Sequence, residues 1–531
     1  MIKARNLGKS FGLKEVLVGI NFSIERGQKA ALVAPNGTGK STLLKILAGE
    51  EKHDYGTLDI HPDTKIGYFP QELRVSAKGK IIDYIFKTAG IEGEERKKIE
   101  YKAMIMLSGF GFKPGDEDRK IETLSSGQRS KVALIGILLK GADFLLLDEP
   151  TNNLDLPALI WLEDYLKTSK VAAIIVSHDR RFLDNTTQKV FAIDRQTRKM
   201  NVINGKYSHF LEAEEKRLAK LWDDYSRQQK ELTRLRDVIE DKKERAEEGA
   251  KWVGTDNDSI LRGYNRNKAG KSLRTAKVIE HRIDRIEVLD KPGERRIFNI
   301  PKYTIENEGN TEIDIKDLNS GHGKTFKIGP TTINIPFGKR ICIIGQNGAG
   351  KSTLLKTIMG EIKPTSGTIN FGGSARIVNM AQEHEILPLD KSPIKFLAES
   401  AKMSDSSAYT MLAKFDFPSE QANNKIETMS PGERARLILI YFAAKKANIL
   451  ILDEPTNHMD SEAVEALKEF LKFFTGTVVL VSHDRYFIEQ IKLDFFYKLE
   501  EGILTKIADF QEYVKENDIK AKKLIRVISK V

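Results

Sequence analysis

The sequence predicts an α/β protein in which two similar domains are joined by a long α-helical hairpin. Three observations lead to this fold class. A glycine-rich loop of the phosphate-binding type occurs twice, each time between an apolar, β-branched run and a helical pattern. The motifs that follow each loop recur in the same order. The segment between the two copies has helical periodicity and carries none of these motifs.

The later loop, residues 345–352, matches the pattern Gly-x4-Gly-Lys-Ser. Its glycines allow a tight turn that points backbone N–H groups at phosphate oxygens, and the helix start adds a favourable dipole. Lys351 supplies a positive charge, and the Ser352 hydroxyl can hold Mg²⁺. The residues predicted to bind phosphate are Gly345, Gln346, Asn347, Gly348, Ala349, Gly350, Lys351, Ser352 and Thr353.

The earlier loop has an alanine where the pattern has its first glycine. We expect Ala34 to be tolerated if its φ is negative and to hinder the loop otherwise. The residues predicted to bind phosphate here are Ala34, Pro35, Asn36, Gly37, Thr38, Gly39, Lys40, Ser41 and Thr42.

Two offsets relate the halves of the chain. Lys40 and Lys351 are 311 residues apart, as are Gln71 and Gln382. The serine, acidic and histidine motifs that follow are 305 residues apart. The chain is therefore a tandem duplication, and its halves differ by six residues between the glutamine and serine motifs.

Residues 207–295 separate the two halves. Two apolar seams at helical spacing predict two helices, with a turn-rich stretch at residues 249–270 between them, which together form an antiparallel hairpin. The first seam contains Leu218, Leu221, Tyr225, Leu232, Leu235 and Ile239, and the second contains Ala276, Ile279, Ile283 and Ile286.

The hairpin carries an uneven distribution of charge. Residues 262–278 contain six basic side chains, no acidic one, and Tyr264. Cations with an aromatic ring suit a phosphate backbone and an unpaired base, although a solvated helix face would have a similar composition. The residues predicted to bind RNA are Arg262, Tyr264, Arg266, Lys268, Lys271, Arg274 and Lys277.

Composition adds three expectations. A net charge of +11 is compatible with a polyanionic partner. The single cysteine, Cys342, excludes a disulfide framework and fits the reducing cytoplasm. No apolar run reaches the ~18 residues of a membrane span, and the N-terminus lacks a signal segment.

The ordered motifs resemble those of ATP-binding-cassette ATPases. The sequence Asp-Glu-Pro-Thr-Asn at residues 148–152 and 453–457, together with the charged helical linker, resembles the ABC-F subfamily, whose members act on ribosomes. The resemblance covers nearly the whole chain. It implies two cassettes at residues 1–206 and 296–510, a hairpin at 207–295 similar to one that meets P-site tRNA, and a short basic tail at 511–531.

Physical roles follow for the motif residues. Asp148 and Asp453 end buried strands, where a carboxylate suits Mg²⁺. The glutamates that follow them can polarise an attacking water as general bases. The predicted catalytic residues are Glu149, Glu454, His178, His483, Gln71 and Gln382. The predicted metal ligands are Ser41, Gln71, Asp148, Ser352, Gln382 and Asp453.

Serine motifs at the starts of two helices complete the predicted sites. In cassette ATPases this motif binds a nucleotide held by the opposite domain, so the resemblance implies two ATP molecules sandwiched head-to-tail. The residues are Ser125, Ser126, Gly127 and Gln128 in the first half and Ser430, Pro431, Gly432 and Glu433 in the second. An aromatic ring that stacks on adenine is expected at Phe11, whereas His322 occupies the matching place in the second half.

The predicted function is that of a cytoplasmic, monomeric ATPase that uses ATP and Mg²⁺, binds rRNA and P-site tRNA on the ribosome, and adjusts translation. Two subclasses remain open, a housekeeping elongation-type factor and a factor that protects ribosomes from antibiotics. The alternative from another class is the ATPase subunit of a membrane transporter, which would bind a permease. A DNA-repair cassette ATPase would need a much longer coiled coil.

Overall fold

The computed structural model describes residues 2–35, 37–71, 78–194, 197–251, 259–286, 289, 311–321, 327–380, 387–415, 417–456, 459 and 461–528. Side chains are described for these residues except 153, 249–251, 259–266, 431, 461 and 462. The chain forms two compact units. One contains Met1–Ser208 and Phe298–Val531, and the other contains His209–Ile297.

The first cassette contains nine described strands and six described α-helices. The strands are β1 (Ile2–Phe11), β2 (Lys14–Ile24), β3 (Lys29–Val33), β4 (Tyr55–Ile60), β5 (Ile66–Phe69), β6 (Phe144–Asp148), β7 (Ala172–Val176), β8 (Lys189–Ile193) and β9 (Met200–Asn204). The helices are α1 (Lys40–Ala48), α2 (Ile81–Ala89), α3 (Gly93–Gly109), α4 (Ser126–Leu139), α5 (Leu156–Thr168) and α6 (Arg180–Thr186).

These strands form two sheets that share a core. The order β2-β1-β4 makes a three-stranded antiparallel sheet, and β5-β6-β7-β3-β8-β9 makes a six-stranded sheet that is parallel except for β9 at its edge. Strands β6 and β7 are buried along their whole length. Their continuous apolar sequences suit parallel strands covered on both faces. Leu43, Leu44 and Leu47 of α1 pack in the core between the sheets.

The middle unit is a helical hairpin, as the two seams predict. Its helices are α7 (Tyr207–Lys251) and α8 (Ser259–Asp284). They run antiparallel, because Glu231 pairs with Arg282 at 3.2 Å and Lys243 pairs with Glu280 at 2.7 Å. Buried residues of the shared seam are Leu232, Ile239, Ala246, Ala269 and Ala276.

Two details of the hairpin differ from the sequence prediction. The turn-rich stretch predicted for residues 249–270 is wrong at both ends, because α7 continues through Lys251, and α8 begins at Ser259 and runs through Gly270. A glycine inside a helix costs about 1 kcal/mol, which burial of neighbouring Ala269 against the seam can offset. Leu221, predicted in the seam, is 40% exposed and lies outside it.

The second cassette repeats the first. Its strands are β10 (Ile313–Ser320), β11 (Ile328–Ile335), β12 (Arg340–Ile344), β13 (Ser366–Phe371), β14 (Ile377–Met380), β15 (Ile449–Asp453), β16 (Thr477–Val481), β17 (Phe495–Glu500) and β18 (Ile503–Ile507). Its described helices are α9 (Lys351–Ile358), α10 (Pro393–Ala401), α11 (Asp405–Lys414), α12 (Pro431–Ala444), α13 (Ser461–Phe473), α14 (Arg485–Gln490) and α15 (Phe510–Ile528). The sheet orders are β11-β10-β13 and β14-β15-β16-β12-β17-β18.

The largest difference in length between the halves is seven residues in one helix, and one extra residue earlier in the second half makes the net difference six. Helix α3 of the first cassette spans 17 residues, whereas α11, at the same place in the second, spans 10. The helices before them, α2 and α10, both span nine residues. The change in length therefore lies outside the strands that position the motif residues.

The C-terminal segment forms a single helix, α15, which packs against α3 and α5 of the first cassette. Its buried positions recur every three or four residues, as in Tyr513, Asn517, Ala521, Ile525 and Ile528. The second half of the chain therefore ends on the surface of the first.

Candidate nucleotide-binding sites

The predicted site residues of each cassette lie at one edge of its parallel sheet. In the first cassette the glycine-rich loop follows β3, Gln71 follows β5, Asp148 ends β6 and His178 follows β7. These strands are parallel, so their carboxyl ends meet at one edge. Ligands of open α/β sheets bind at this edge. In the second cassette the loop follows β12, Asp453 ends β15 and His483 follows β16.

The first loop accommodates Ala34 without strain. Ala34 does not adopt a positive φ, so the condition for its tolerance is met, and its side chain packs against the domain core. The Thr38 hydroxyl is buried and donates to the Pro35 carbonyl at 2.7 Å. The Lys40 ammonium donates to the Ala34 carbonyl at 2.8 Å, and Gly39 precedes α1 with φ of 94°.

The second loop cannot accept the same alanine. A Cβ on Gly345 would lie 2.3 Å from the Leu499 carbonyl oxygen, so only glycine fits there. The Lys351 ammonium donates to the carbonyls of Gly345 at 2.8 Å and Gln346 at 3.1 Å. Burial lowers the pKa of Lys351, and the nearby Glu454 carboxylate partly offsets this effect. In both loops the lysine ammonium thus lies against backbone carbonyls of its own loop, and its contact with phosphate stays a prediction.

Oxygen atoms suited to a metal ion lie beside each loop. Ser41 hydrogen-bonds to Asp148, and Ser352 hydrogen-bonds to Asp453. One oxygen of each carboxylate is buried with no hydrogen-bond partner among the described residues. Burial raises the pKa of both carboxyls, and a cation would reverse that effect. The hydroxyl and carboxylate oxygens fit Mg²⁺, which prefers oxygen ligands.

Each glutamate contacts the histidine motif of its own cassette. The His178 backbone N–H donates to Glu149 Oε2 at 3.3 Å, and His178 Nε2 lies 3.3 Å from Glu149 Oε1. In the second cassette the corresponding distances between His483 and Glu454 are 3.1 and 3.3 Å. The structure therefore brings these predicted catalytic residues together in both cassettes.

Both glutamates occupy unusual and poorly solvated positions. Glu149 has φ of 51° and Glu454 has φ of 49°, in the left-handed region that non-glycine residues rarely occupy. Backbone strain of this kind clusters at functional sites. Burial raises the pKa of each carboxyl to about 7. A carboxylate that titrates near neutral pH suits a proton acceptor.

The first cassette also contributes to the second site. Asp155 Oδ2 accepts the backbone N–H of Asn347 at 2.7 Å and lies 2.8 Å from Lys131 Nζ. Burial would raise the pKa of Asp155, but Lys131 and the other neighbouring donors hold it below its usual range. Sequence reasoning missed both residues. Asp155 ends the acidic motif, but the sequence does not show that it reaches the other half.

The two sites differ in their exposure to solvent. The His178 side chain is 45% exposed, whereas that of His483 is 13% exposed. Burial lowers the pKa of His483 well below its ordinary value. Because Asp155 and Lys131 of the first cassette lie beside the second loop, the second site is the more enclosed.

The serine motifs begin α4 and α12 as capping boxes. Ser125 Oγ accepts the Gln128 N–H at 3.2 Å, and Gln128 returns a bond to the Ser125 N–H. In the second cassette the Glu433 carboxylate accepts from the Ser430 N–H at 2.9 Å and from its hydroxyl at 2.8 Å. These contacts stabilise the helix starts that are predicted to face a nucleotide.

The structure describes only some of the other predicted site residues. Phe11 is 51% exposed at the end of β1, so it is not a core residue and its ring is accessible. Gln71 is exposed beyond β5. Asn36, His322 and Gln382 lie outside the described residues, as does the Pro431 side chain.

Comparison with known proteins identifies the family. A family model described as ABC transporter matches residues 17–152 and again residues 329–457, and a second model of that description matches residues 193–300. The chain is 31% identical to ABC transporter F family member 5 of Arabidopsis thaliana, covering 99% of this chain and 79% of that protein. It belongs to the ABC-F subfamily of ATP-binding-cassette ATPases. It is also 31% identical to the probable ATP-binding protein YheS of Escherichia coli K12, covering 94% of this chain and 79% of that one.

Solved structures of low sequence identity share the fold of this ABC-F protein. RNase-L Inhibitor matches with a TM-score of 0.60 at 19% identity, covering 97% of this chain and 93% of that chain. The archaeal ribosome recycling factor solved with the stalk protein aP1 matches with a TM-score of 0.59 at 18% identity, covering 96% and 92%. The prediction of two cassettes, and of an ATPase, is confirmed. None of the described helices is long and apolar enough to cross a membrane.

Proposed function

We propose that this ABC-F ATPase binds the ribosome through its helical hairpin and uses ATP at two composite sites to control how that hairpin is placed. The observation that carries the proposal is the distribution of charge on α8. The proposed partners are ribosomal RNA and the P-site tRNA, near the peptidyl-transferase centre. The proposed consequence is an adjustment of translation.

Basic side chains of α8 lie opposite its buried seam. At about 100° per residue, Ala269 and Ala276 fall within about 20° of each other around the helix axis. Lys268, Lys271, Arg274 and Lys277 fall on an arc of about 180° centred on the other side. All four side chains are exposed, and none forms an ion pair with another described residue. Unpaired cations facing away from a packing seam suit a phosphate backbone.

The side chains of Arg262, Tyr264 and Arg266 are outside the described part of the chain, so their predicted RNA contacts stay predictions. Residues 252–258, which follow α7 and precede α8 in the sequence, are also outside it. We expect the turn to distinguish the two subclasses, with an elongated turn in a factor that protects ribosomes. The housekeeping factor and the antibiotic-protection factor are therefore two forms of the same proposal.

The ATP sites supply the proposed switch. Lys40 and Lys351 would hold the phosphates, and Asp148 with Ser41 and Asp453 with Ser352 would hold Mg²⁺, which would neutralise phosphate charge when bound. Gln71 and Gln382 would reach the metal and the water, and Phe11 would stack on adenine. Glu149 and Glu454 would each accept a proton from the attacking water, and His178 and His483 would contact the terminal phosphate.

Closure of each nucleotide site would depend on the opposite cassette. Asp155 already joins the first cassette to the Asn347 N–H of the second loop, which supports a nucleotide site shared between the domains. In the proposed head-to-tail pairing, the motif at Ser430 faces the loop of Lys40, and the motif at Ser125 faces the loop of Lys351. Loss of the terminal phosphate would remove negative charge that holds the cassettes together.

Binding to purified ribosomes tests the proposal. Replacing Lys268, Lys271, Arg274 and Lys277 together with alanine should weaken co-sedimentation with ribosomes. It should also reduce the slope of log affinity against log salt by about 3, at about 0.7 per lost phosphate contact. The matched control replaces four exposed basic residues of the first cassette, Lys3, Arg5, Lys52 and Lys87. Equal loss of binding in both variants, or binding that ignores salt, contradicts the proposal.

Two further measurements separate the open alternatives. Expression in a sensitive host should lower susceptibility to peptidyl-transferase antibiotics if the chain protects ribosomes, and unchanged susceptibility favours the housekeeping factor. Co-purification with an integral membrane protein instead of ribosomes would favour the transporter subunit.

A further inference from the structure

The histidine motifs of the two cassettes meet each other. His178, Asp179 and Arg180 lie at the start of α6, and His483, Asp484 and Arg485 lie at the start of α14. Each aspartate caps its helix, because Asp179 accepts the Phe182 N–H at 2.8 Å and Asp484 accepts the Phe487 N–H at 2.9 Å. Each aspartate therefore fixes the backbone beside a histidine that contacts a glutamate of the ATP site.

One guanidinium lies between these two motifs. Arg485 is 2% exposed although it carries a full charge. Its Nη2 atom lies 3.5 Å from Asp179 Oδ2 of the first cassette and contacts Glu163 of α5 at shorter range. Burial alone would lower the pKa of Arg485, but Asp179 and Glu163 outweigh it and raise that pKa. The cation is thus held by two carboxylates of the opposite cassette.

The duplication repeats this arrangement only in a more exposed form. Arg180 holds the position that matches Arg485, and its guanidinium bonds to two residues of the second cassette, the Tyr486 hydroxyl at 3.0 Å and Glu465 at 3.2 Å. Its side chain is 27% exposed and that of Glu465 is 43% exposed. Lys468 stands where the 305-residue offset places the counterpart of Glu163, so the partner of Arg485 is replaced by a cation.

We propose that Arg485 is a positioning residue that couples the two ATP sites, by tying the histidine motif of the second site to Asp179 beside the histidine of the first. A movement of His178 and Glu149 when the first site binds ATP shifts Asp179. The buried ion pair transmits that shift to Arg485, and from there through Asp484 to His483. Buried charge pairs resist separation, because breaking one leaves an uncompensated charge.

The inference depends on the proposed binding of one ATP at each loop, but not on the proposed catalytic roles. It is therefore tested by nucleotide binding rather than by turnover. Calorimetric titration of the full chain with Mg²⁺ and a non-hydrolysable ATP analogue gives two affinities. Lys40→Ala and Lys351→Ala each weaken one site, so they show which affinity belongs to which site. Comparison with the parent chain then gives the coupling factor, by which binding at one site changes the affinity of the other.

In the parent chain this coupling factor should be at least about 5, the usual lower range for allosteric linkage. Arg485→Lys keeps the charge but cannot reach both carboxylates, and it should bring the factor close to 1 while two analogue molecules still bind. Glu163→Gln, which removes one of the two carboxylates, should reduce the factor in the same direction. Arg180→Lys makes the same exchange at the matching but more exposed contact between the cassettes, and it should reduce the factor much less.

Three results would overturn the inference. They are a coupling factor near 1 in the parent chain, a coupling factor in Arg485→Lys equal to that of the parent, and a reduction of the coupling factor in Arg180→Lys as large as that in Arg485→Lys. A chain that binds fewer than two analogue molecules would instead contradict the proposed pair of ATP sites. A melting temperature of Arg485→Lys within a few degrees of the parent shows that the loss of coupling does not reflect unfolding.

Discussion

Asp155 accepts the backbone N–H of Asn347, 192 residues away, at 2.7 Å and at the same time pairs with Lys131. The pair is almost completely buried, with side-chain exposures of 2% and 4%. One carboxylate of the first cassette thus helps to fix the phosphate-binding loop of the second. Because Lys131 is almost completely buried and its other contact, the Phe110 carbonyl at 3.1 Å, carries no net charge, the aspartate stabilises the fold as well as the site.

Asp155→Asn should therefore destabilise the protein. The amide oxygen can still accept from Asn347, but Lys131 loses its counter-charge in a buried position, which costs about 3–5 kcal/mol. Chemical denaturation followed by circular dichroism would measure the loss. Asp63→Asn, whose side chain is 93% exposed, is the matched control and should change little. Equal stability of the two variants would contradict the assigned ion pair.

Gly345→Ala should prevent ATP binding at the second site. The added Cβ would meet the Leu499 carbonyl oxygen at 2.3 Å, so the loop must move. The reverse exchange in the first loop, Ala34→Gly, should leave binding there nearly unchanged, because Ala34 has no positive φ. Titration with a fluorescent ATP analogue would count the sites. Binding of two ATP analogues by Gly345→Ala would show that the close contact with Leu499 does not constrain the loop.

Exchange of both proposed bases should trap the ATP-bound state. Glu149→Gln and Glu454→Gln keep the side-chain shape and remove the proton acceptor, so turnover in the double variant should fall by at least about 100-fold. ATP should still bind, and the protein should stay on ribosomes. Phosphate release and co-sedimentation would measure both effects. Turnover at the parent rate would falsify the base assignment.

Ile525→Ala should separate the C-terminal helix from the first cassette. Ile525 is 5% exposed in the face of α15 that packs on the first cassette, and truncation of such a side chain costs about 2–4 kcal/mol. Ile519 on the same helix is 68% exposed, so Ile519→Ala is a control of the same chemistry. Thermal unfolding should show a lower melting temperature for the first variant only. Similar melting temperatures would mean that α15 adds little stability.

Asp484 gives a pH dependence of stability. Burial, with the nearby Asp179, raises its pKa to about 6. A carboxyl whose folded pKa is raised favours folding below its unfolded pKa, near 3.8, and this contribution is lost as pH rises through about 6. Asp484→Asn can still cap α14 but cannot ionise. The variant should match the parent near pH 4 and be more stable above pH 6, by up to about 3 kcal/mol. Melting curves across this range would contradict the assignment if the difference does not depend on pH.

The sequence alone was sufficient for the duplication, both glycine-rich loops, most of the hairpin seam and the family, because these depend on local pattern and spacing. A strand followed by a glycine-rich turn and a helix can be recognised within about 20 residues of sequence, and apolar periodicity can be recognised over a similar length. The family assignment is confirmed, as are the two cassettes. The role of each site residue stays a prediction, although the geometry unites Glu149 with His178 and Glu454 with His483.

Only the tertiary structure decided which residues of the two cassettes meet. Asp155 with Asn347, and Arg485 with Glu163, are 192 and 322 residues apart, and no periodicity or motif connects them. The same limit applies to the packing of α15 on the first cassette and to the helical conformation at Gly270 of α8, which lies beside buried Ala269. Local sequence determines the elements and their chemistry. Contacts between distant surfaces depend on shape and charge that exist only after the chain has folded.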